Sequence, residues 1–452
     1  MRILFLRPEA PKETIGLQHV MIVEPLELEL LATVVEKDNE VIIIDLILEK
    51  ESCDFFIKRY NPDIVCVTGY ITHTREMLTI CQKAKEYNPN IITIVGGVYI
   101  EKLPENINSP YVDYRVVRNA LITFPLLINF IQNKDDFPRG VLRIDEEMDE
   151  STLPEYDFNV PIPNRTLIQN YRKKYFYVFH PKVALLKTSF GCPFPCSFCF
   201  CRKITGDNYV ERDLNEIIEE LKTIKEKEIY IVDDNFLVSE KRLVEFFNLL
   251  EKNNIHKRFL IFGRADFIAN HPEIIKRFKH LGLRTIIVGI ESLSDNELNT
   301  LNKNTIATTN EEAMRILNKY QVDCYASIIA MPEWDKADFR NITNKLIRLG
   351  IRFVNIQPLT PLEKTDIEFD YSKLIIPRSE YEKWDLAHVM IAPEKMTLKE
   401  YYSEIRKMYL KILFRPSSLL HHLKYPIQMQ IKLLRGTSRV KKQYKNKIKC
   451  LS

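Results

Sequence analysis

The feature that most constrains the fold is a regular alternation of short apolar runs with amphipathic segments. Over the first 135 residues, five runs rich in Val, Ile and Leu predict strands, at 2–6, 41–45, 64–68, 91–95 and 114–117. Amphipathic segments such as 26–37 and 74–87 lie between these runs and predict helices. Apolar strands that alternate with helices form parallel sheets covered on both faces. The sequence therefore predicts an α/β, doubly wound, Rossmann-like domain over residues 1–135.

Ligands of such sheets bind beyond the carboxyl ends of the strands. Small or hydroxyl-bearing side chains at those ends let a bulky ligand approach the backbone, and the alternative is that they form ordinary strand-to-helix turns. The candidate binding residues of this first domain are Asp45, Thr68, Gly69, Thr72, Gly96, Gly97 and Tyr99.

A second alternation follows a proline-rich connector at 136–180. Six further strands are predicted over 181–375, at 183–186, 228–232, 259–263, 285–290, 323–330 and 353–357. Six successive β/α units indicate a partial parallel barrel, in which the chemistry lies at the carboxyl ends of the strands. Residues 376–452 form a helical C-terminal region with a basic tail.

Three cysteines follow the first strand of this barrel. Cys192, Cys196 and Cys199 have the spacing C-x3-C-x2-C on a short loop marked by proline and glycine. A cubane iron–sulfur cluster normally takes four thiolates, so three leave one iron free to bind something else. Structural zinc sites usually need four protein ligands, and no second cysteine pair or His lies near. Cys201 is either a rival ligand or a packed thiol.

This spacing, with Phe198 before the last cysteine, resembles the signature of the radical S-adenosylmethionine (SAM) enzymes. The resemblance implies a [4Fe-4S] cluster whose open iron binds SAM, and reductive cleavage of SAM to a 5′-deoxyadenosyl radical. The sequence Gly289-Ile-Glu-Ser resembles a family element near the SAM nucleoside, and Lys303 falls at a lysine position of the family. Residues at the predicted strand ends that would bind SAM, with Phe198, are Asp233, Asp234, Arg264, Asp266 and Glu291. Acids at such positions also serve as helix N-caps or first-turn acids.

The first domain looks like the cobalamin-binding domain found ahead of many radical SAM domains. The resemblance rests on the order of Glu24-Pro-Leu-Glu, Val41-Ile-Ile-Ile-Asp, Pro62-Asp-Ile-Val, Ile94-Val-Gly-Gly and Val112-Asp-Tyr. The D-x-H-x-x-G motif is absent, because Leu-Ile-Leu-Glu follows Asp45, which implies that no His from that motif binds cobalt. Residues 381–402 resemble the hopanoid methylase-like branch, with Trp384, His388 and Tyr402 as candidates to face substrate or to pack.

These resemblances imply a cobalamin-dependent radical SAM methyltransferase that moves a methyl group from methylcobalamin to a substrate carbon radical. The substrate is expected to be a small molecule, a lipid or a peptide, and the electron donor a flavodoxin or ferredoxin. A cyclase or rearrangement enzyme without methyl transfer is the alternative within the class. A non-catalytic cobalamin or iron–sulfur sensor is the alternative from another class. A methylthiotransferase would need a further cysteine cluster, whereas Cys53, Cys66 and Cys81 lie far apart in the sequence.

The composition limits which partners the protein can bind and indicates the cellular compartment. Lys and Arg total 65 against 61 acids, a formal charge of +4, which is too mild to indicate nucleic acid binding. No apolar run reaches the length of a membrane span, and nine cysteines fit a reducing cytoplasm. The tail from Arg435 has seven Lys or Arg and no acid, which predicts a solvated or disordered segment with weak attraction to a membrane surface. Pro416 and Pro426 argue against one long helix there.

Overall fold

The structure is a computed structural model that describes residues 1–16 and 19–451. The chain forms two compact units. The first unit contains Met1–Thr14, Glu24–Lys174 and Ser379–Lys383, and the second contains Ile15–Val23, Tyr175–Arg378 and Trp384–Ser452. The segment expected as a connector, 136–180, therefore belongs to the first unit as far as Lys174.

The first unit is built on a six-stranded sheet in the order β2-β1-β3-β4-β5-β6. Its strands are β1 (Arg2–Arg7), β2 (Glu40–Asp45), β3 (Ile64–Thr68), β4 (Ile92–Gly96), β5 (Tyr114–Val116) and β6 (Val141–Arg143). The first five are parallel, and the strand order reverses at β1, so the predicted doubly wound sheet is confirmed. The carboxyl ends of β1 and β3 flank that reversal, where ligands of such sheets bind.

The sixth strand, β6, was not predicted and pairs antiparallel with β5. The buried Arg115 fixes it, because its guanidinium donates to the carbonyl oxygens of Arg143, Ile144 and Glu146 at 2.6–2.9 Å. The strand has only three residues, of which Val141 and Leu142 are buried, so its apolar run is too short to stand out in the sequence. The helices of the first unit are α1 (Leu26–Val35), α2 (Cys53–Tyr60), α3 (Thr74–Tyr87), α4 (Val98–Lys102) and α5 (Ala120–Asn133).

The second unit contains the predicted partial barrel. Its six parallel strands pair in sequence order: β7 (Val183–Leu186), β8 (Glu228–Ile231), β9 (Arg258–Gly263), β10 (Leu283–Glu291), β11 (Asp323–Ala330) and β12 (Phe353–Pro358). The helices between the strands are α6 (Cys201–Ile204), α7 (Leu214–Thr223), α8 (Glu240–Lys252), α9 (Ala265–Asn270), α10 (Pro272–Leu281), α11 (Asp295–Thr300), α12 (Ala307–Lys319) and α13 (Lys336–Arg348). We call the turns after the carboxyl ends of β7–β12 the rim and the opposite end the base.

Ion pairs and aromatic rings fill the base. The buried His180 bonds the Glu228 carboxylate through Nδ1 at 2.8 Å, and His421 Nε2 lies 2.7 Å from an Asp323 oxygen. Tyr425 also donates to Asp323 and stacks on Phe179 with ring centroids 4.0 Å apart. Contacts at the amino ends of barrel strands contribute to stability rather than to chemistry.

Three helices complete the second unit: α14 (Leu398–Leu413), α15 (Pro416–His422) and α16 (Ile427–Cys450). Helix α14 lies along β12, because the Tyr409 hydroxyl accepts from Ile356 N at 2.9 Å. The tail is helical rather than disordered: its basic side chains such as Arg439 and Lys441 are exposed, whereas Tyr444 is buried to 2% exposure in the barrel core. Pro416 and Pro426 stand at the starts of α15 and α16, as expected from two separate helices. Among the described residues, no helix is both long and apolar enough to cross a bilayer.

Candidate functional site

The loop that carries the three cysteines, residues 188–200, begins at a buried carboxylate. Asp233 follows β8 and is 1% exposed. Its oxygens accept from Thr188 N at 2.6 Å, from the Ser189 hydroxyl at 2.8 Å and from the Thr188 hydroxyl. Burial raises the pKa of Asp233, and these bonds oppose that shift. Asp233 was predicted to bind SAM. In this structure it instead holds the first residues of the cysteine loop in place.

The three cysteines differ in their surroundings. Cys196 is buried, whereas Cys192 and Cys199 are half-buried. Burial raises the pKa of Cys192 to about 11, and burial also raises the pKa of Cys196 against the opposing charges of Lys303 and Arg264. A hydrogen bond from the Cys201 thiol, together with the Cys201 backbone and the Lys303 charge, lowers the pKa of Cys199 to about 7. Cys199 is thus the sulfur best prepared to be a thiolate.

Cys201 opens α6 and directs its thiol at Cys199 and at Asp234. The hydrogen bond to the Cys199 sulfur holds the pKa of Cys201 well above its ordinary value. This arrangement favours the packed-thiol interpretation of Cys201 over a ligand. Asp234 also accepts from Gly191 N at 3.1 Å, so this predicted SAM residue also supports the loop.

Arg264, at the end of β9, reaches into the cysteine loop. Its Nη1 lies 3.6 Å from Cys196 Sγ, and its Cζ stacks 3.9 Å from the ring centroid of Phe194. Its Nε lies 3.1 Å from both oxygens of Asp266, so these two predicted SAM residues pair with each other. Arg264 is 6% exposed and brings a fixed positive charge to the cysteine sulfurs.

A second cation, Lys303, stands beside the loop. Its Nζ is 3.1 Å from Glu291 Oε1 in a buried pair and 5.8 Å from the ring centroid of Phe198. Glu291 ends β10 with a left-handed φ of 60°, and the pairing of β10 with β11 shifts register next to it. A Cβ on Gly289 would come within 2.4 Å of Glu291 Oε1 and 2.8 Å of Lys303 Nζ, so a side chain there would displace the ends of this ion pair. The left-handed backbone of Glu291 is strained for a residue other than glycine, and such strain is often found at functional sites.

The turn at 300–303, which we call the rim turn, holds the far side of the cysteine loop. Asn302 Nδ2 donates to the Pro195 carbonyl at 2.6 Å, and Ser197 N donates to Leu301 O at 3.1 Å. Asn302 has a left-handed φ of 47°, which asparagine tolerates better than most residues. Sequence reasoning missed Asn302, and the only signal was the pair of asparagines that flank Lys303.

The donor set fits a cluster held by three thiolates. The cysteine loop is fixed at both ends, and two cations lie beside its sulfurs, where they stabilise thiolates. Among the described residues, no three His, Cys, Asp or Glu side chains lie at the spacing of a site for one metal ion. A cubane instead distributes its thiolates over separate iron atoms.

In the first unit, Asp45 lies at the end of β2 and is fully buried. Arg7 Nη1 is 3.2 Å from Asp45 Oδ2, and Ile47 N donates to Asp45 Oδ1 at 3.2 Å. Asp45 therefore shapes the turn after β2 and compensates a charge at the end of β1, at the edge of the sheet where the strand order reverses.

The predicted glycines lie at the ends of β3 and β4. At Gly69 a Cβ would be 2.7 Å from His73 Cβ, and at Gly97, whose φ is +114°, it would be 2.7 Å from Thr68 Oγ1. These glycines are thus required by local packing, whether or not a ligand approaches. At Gly96 a Cβ would meet Val116 at an ordinary 3.7 Å.

The remaining predicted residues of this edge are buried. Thr72 Oγ1 lies 3.3 Å from His73 Nδ1, and the Tyr99 hydroxyl accepts from Asn106 Nδ2 at 2.8 Å. Burial, followed by the charge of Arg7, lowers the pKa of His73 to about 4. The exposed Tyr70 offers an aromatic face next to Gly69, which suits a large planar ligand.

The C-terminal candidates pack in the second unit. Trp384 and His388 are buried, His388 Nδ1 pairs with Asp385 at 2.9 Å, and the Tyr402 hydroxyl accepts from Val389 N at 2.8 Å. These contacts favour packing over contact with substrate.

Two family models match the chain. A model of the radical SAM superfamily matches residues 186–346, and a model of the B12-binding domain matches residues 14–128. The chain therefore carries a radical SAM domain with a B12-binding domain ahead of it. These domains imply three cofactors, namely a [4Fe-4S] cluster, SAM and cobalamin.

Similar proteins span most of the chain. The hopanoid C-3 methylase of Methylococcus capsulatus is 27% identical over 396 residues, 85% of this chain and 75% of that protein. The anaerobic magnesium-protoporphyrin IX monomethyl ester cyclase of Rubrivivax gelatinosus is 23% identical and matches 82% of this chain and 70% of its own. The solved structure of TsrM from Kitasatospora setae, a radical SAM methyltransferase with cobalamin and a [4Fe-4S] cluster bound, has a TM-score of 0.64 at 14% identity, over 98% of this chain and 99% of its own. That likeness establishes the shared fold.

Proposed function

We propose that this protein is a cobalamin-dependent radical SAM methyltransferase that methylates a carbon atom of its substrate. The observation that carries the proposal is the cysteine loop at the barrel rim, anchored by Asp233 and Asn302, in a chain that also carries a B12-binding domain. When bound, the cluster and SAM supply a carbon radical and cobalamin supplies the methyl group.

Cys192, Cys196 and Cys199 would hold the cluster. Arg264 and Lys303 place two buried positive charges beside these sulfurs. Because a nearby cation favours the charged form of a thiol, they assist thiolate formation and compensate the negative charge that the three ligands bring into a buried site. The rings of Phe194 and Phe198 make cation–π contacts with Arg264 and Lys303, respectively.

The residues proposed to contact SAM divide into two groups. Glu291, Arg264 and Asp266 lie at the rim, and their charges are internally paired in this structure. Phe198 and Asp234 lie on and beside the cysteine loop. SAM would compete for these ion pairs through its own ammonium and carboxylate groups, so binding would exchange charged partners at the rim rather than bury new charges.

The substrate proposed is a small molecule, a lipid or a peptide, and the proposed electron donor is a flavodoxin or ferredoxin in the cytoplasm. A carbon-methylating relative, the hopanoid C-3 methylase, supports methyl transfer, while the cyclase relative keeps cyclisation as the second candidate. The basic C-terminal tail supports weak contact with a membrane surface as part of this proposal.

The test uses anaerobically reconstituted protein with cobalamin, a reductant and SAM. Release of 5′-deoxyadenosine would exclude a sensor. S-adenosylhomocysteine formed together with it would support methyl transfer, whereas 5′-deoxyadenosine alone in the presence of product would favour a cyclase. Neither product from cluster-loaded protein would contradict the proposal.

The cluster assignment needs its own control. We expect Cys196→Ala to lose bound iron and all 5′-deoxyadenosine, because it removes one of three ligands. Cys324→Ala removes a thiol at the base, in β11, and is expected to keep both. A Cys196→Ala protein that retained full iron content would overturn the ligand set.

A further inference from the structure

The second unit exposes a concentrated group of apolar side chains on its C-terminal helices. Of the sixteen large hydrophobic side chains found exposed in the described part of the chain, seven fall within residues 414–434. We call this group the basal patch: Phe414, Leu419, Leu420, Leu423, Ile427, Ile431 and Leu434. Exposed apolar groups of this kind mark sites of association with proteins or membranes.

Three members of the patch lie together on one helix face. Ile427, Ile431 and Leu434 are spaced i, i+4, i+7 on α16, which places them on one helix face. The opposite face carries Met429 and Gly436, which are buried. Helix α16 is therefore apolar on two sides in its first half, and only one of these sides is covered within the second unit.

The patch lies at the base of the barrel. His421 and Lys424 both pair with Asp323, the first residue of β11. Met429 and Leu433 pack with Phe353, the first residue of β12. These contacts fix α15 and the start of α16 to the amino ends of the strands, opposite to the cysteine loop.

The charge around the patch has one sign. Residues 405–452 contain thirteen Lys or Arg and no Asp or Glu. Lys424 and Arg435 are exposed within the patch, and Arg439, Lys441 and Lys442 continue the exposed basic surface along α16. Amphipathic helices that combine Leu-rich and Lys-rich surfaces bind in the headgroup region of anionic bilayers.

We propose that the basal patch docks the protein on an anionic lipid bilayer, with the apolar side chains inserted between headgroups and the basic residues against lipid phosphates or carboxylates. A second copy of this chain is disfavoured as the occupant, because it would bring two such positive surfaces together. Nucleic acid would match the charge but leave the apolar side chains uncovered. The proposal rests on the base of the barrel and does not depend on the reaction at the rim.

Docking at the base sets the orientation of the site. Strand β11 has eight residues, so the rim lies about 25 Å from the base at roughly 3.3 Å per residue. The cysteine loop would therefore face away from the bilayer. A substrate or electron donor would reach it from the aqueous side, and the bilayer would localise the enzyme rather than feed the rim directly.

The first test is sedimentation of the full-length protein with vesicles of phosphatidylcholine alone or mixed with phosphatidylglycerol. We expect binding to the mixed vesicles that weakens as salt rises, and little binding to phosphatidylcholine alone. The triple variant Leu420→Gln, Leu423→Gln, Ile427→Gln is expected to bind on the order of a hundredfold more weakly, since burial of each branched side chain contributes about a factor of five. These side chains are 65–69% exposed, so their replacement leaves the fold intact.

Leu126→Gln is the matched control, because Leu126 is 47% exposed on α5 of the first unit. It is expected to bind vesicles like the wild type. Wild-type affinity in the triple variant, or no binding of the wild type to mixed vesicles at low salt, would overturn the proposal. A wild-type dimer that the triple variant abolishes, without vesicle binding, would assign the patch to a second copy instead.

The second test measures orientation with lipids brominated near the headgroup, which quench tryptophan at short range. Leu420→Trp places a probe in the patch, and Ile306→Trp places one after the rim turn, where Ile306 is 53% exposed. Trp334 and Trp384 are buried and give the same background in both variants. Quenching of the Leu420→Trp probe only is expected, and equal or inverted quenching would refute docking at the base. Neither measurement requires methyl transfer, so failure here is distinct from failure of the proposed reaction.

Discussion

Removal of the Asp233 carboxylate is the sharpest test of how the cysteine loop is held. Asp233 accepts from Thr188 N and from the hydroxyls of Thr188 and Ser189, all three residues being at most 2% exposed. Asp233→Ala leaves these donors buried without their acceptor, at about 1 to 3 kcal/mol for each unsatisfied group. The hydroxyls can rotate, but the backbone N–H cannot. We expect a loss of about 3 to 5 kcal/mol, which falls on the segment that leads into Cys192.

The assay is iron and sulfide per chain after reconstitution, followed by chemical denaturation. Asp233→Asn keeps the shape and one acceptor, so it should lose less iron than Asp233→Ala. Asp335→Ala is the matched control, because Asp335 accepts from Ala337 N and Asp338 N at the start of α13. It should cost about 1 kcal/mol as a lost cap and leave iron content unchanged.

A different result would refute this reasoning. If Asp233→Ala kept its full iron content while the KM for SAM rose, Asp233 would act on SAM, as the sequence alone suggested, and not on the loop. An iron loss equal to that of Asp335→Ala would show that the buried bonds contribute no more than a surface cap.

Three further outcomes are expected. Gly436→Ala would place a Cβ 2.0 Å from the His19 carbonyl oxygen, so we expect a loss of about 1 to 3 kcal/mol and a lower Tm, whereas an unchanged Tm would contradict the contact. Asn302→Ala removes the bond to Pro195 O and should speed cluster loss in air, measured by the decay of visible absorbance; identical decay would argue against the clamp. The pKa of His73 is about 4 in the fold against about 6.5 unfolded, so the unfolded state binds the extra proton between these values. The contribution of neutral His73 to the free energy of unfolding should therefore be fully present above pH 6.5 and should fall by about 3 kcal/mol toward pH 4. His73→Gln should flatten this decline in denaturation curves taken across that range.

The fold was predictable because its signal is periodic. Most of the parallel strands β1–β5 and β7–β12 are rich in Val, Ile and Leu, which the core selects directly, and their predicted bounds differ from the observed ones by at most two residues. Strand β6 was missed because it has only two buried apolar residues, and Arg115 fixes it through backbone carbonyl oxygens, which the sequence pattern does not show. The helix in the tail was missed because many basic residues surround its few buried positions, Gly436 and Tyr444.

The site was predictable only in part. The spacing predicts the three cysteines and the strand ends predict the rim acids, and the structure places both groups at the rim. Their partners were not, since Asp233 turns inward to Thr188 and Arg264 pairs with Asp266. A charged side chain can contact either a ligand or another residue of the protein. Which of the two it contacts depends on distances in the folded structure, and the spacing of residues in the sequence does not give these distances. Asn302 shows the converse, since a residue without chemical reactivity holds the cysteine loop in place.

The base of the barrel is distant from the rim, so substitutions that change stability can be separated from substitutions that change the reaction. Contacts such as His180 with Glu228 and His421 with Asp323 lie a full strand length from the rim. Substitutions among them should alter heat tolerance while turnover per folded molecule stays the same. Laboratory selection for new substrates can therefore confine its libraries to the turns after β7–β12, and selection for robustness can confine its libraries to the other end, with little interference between the two.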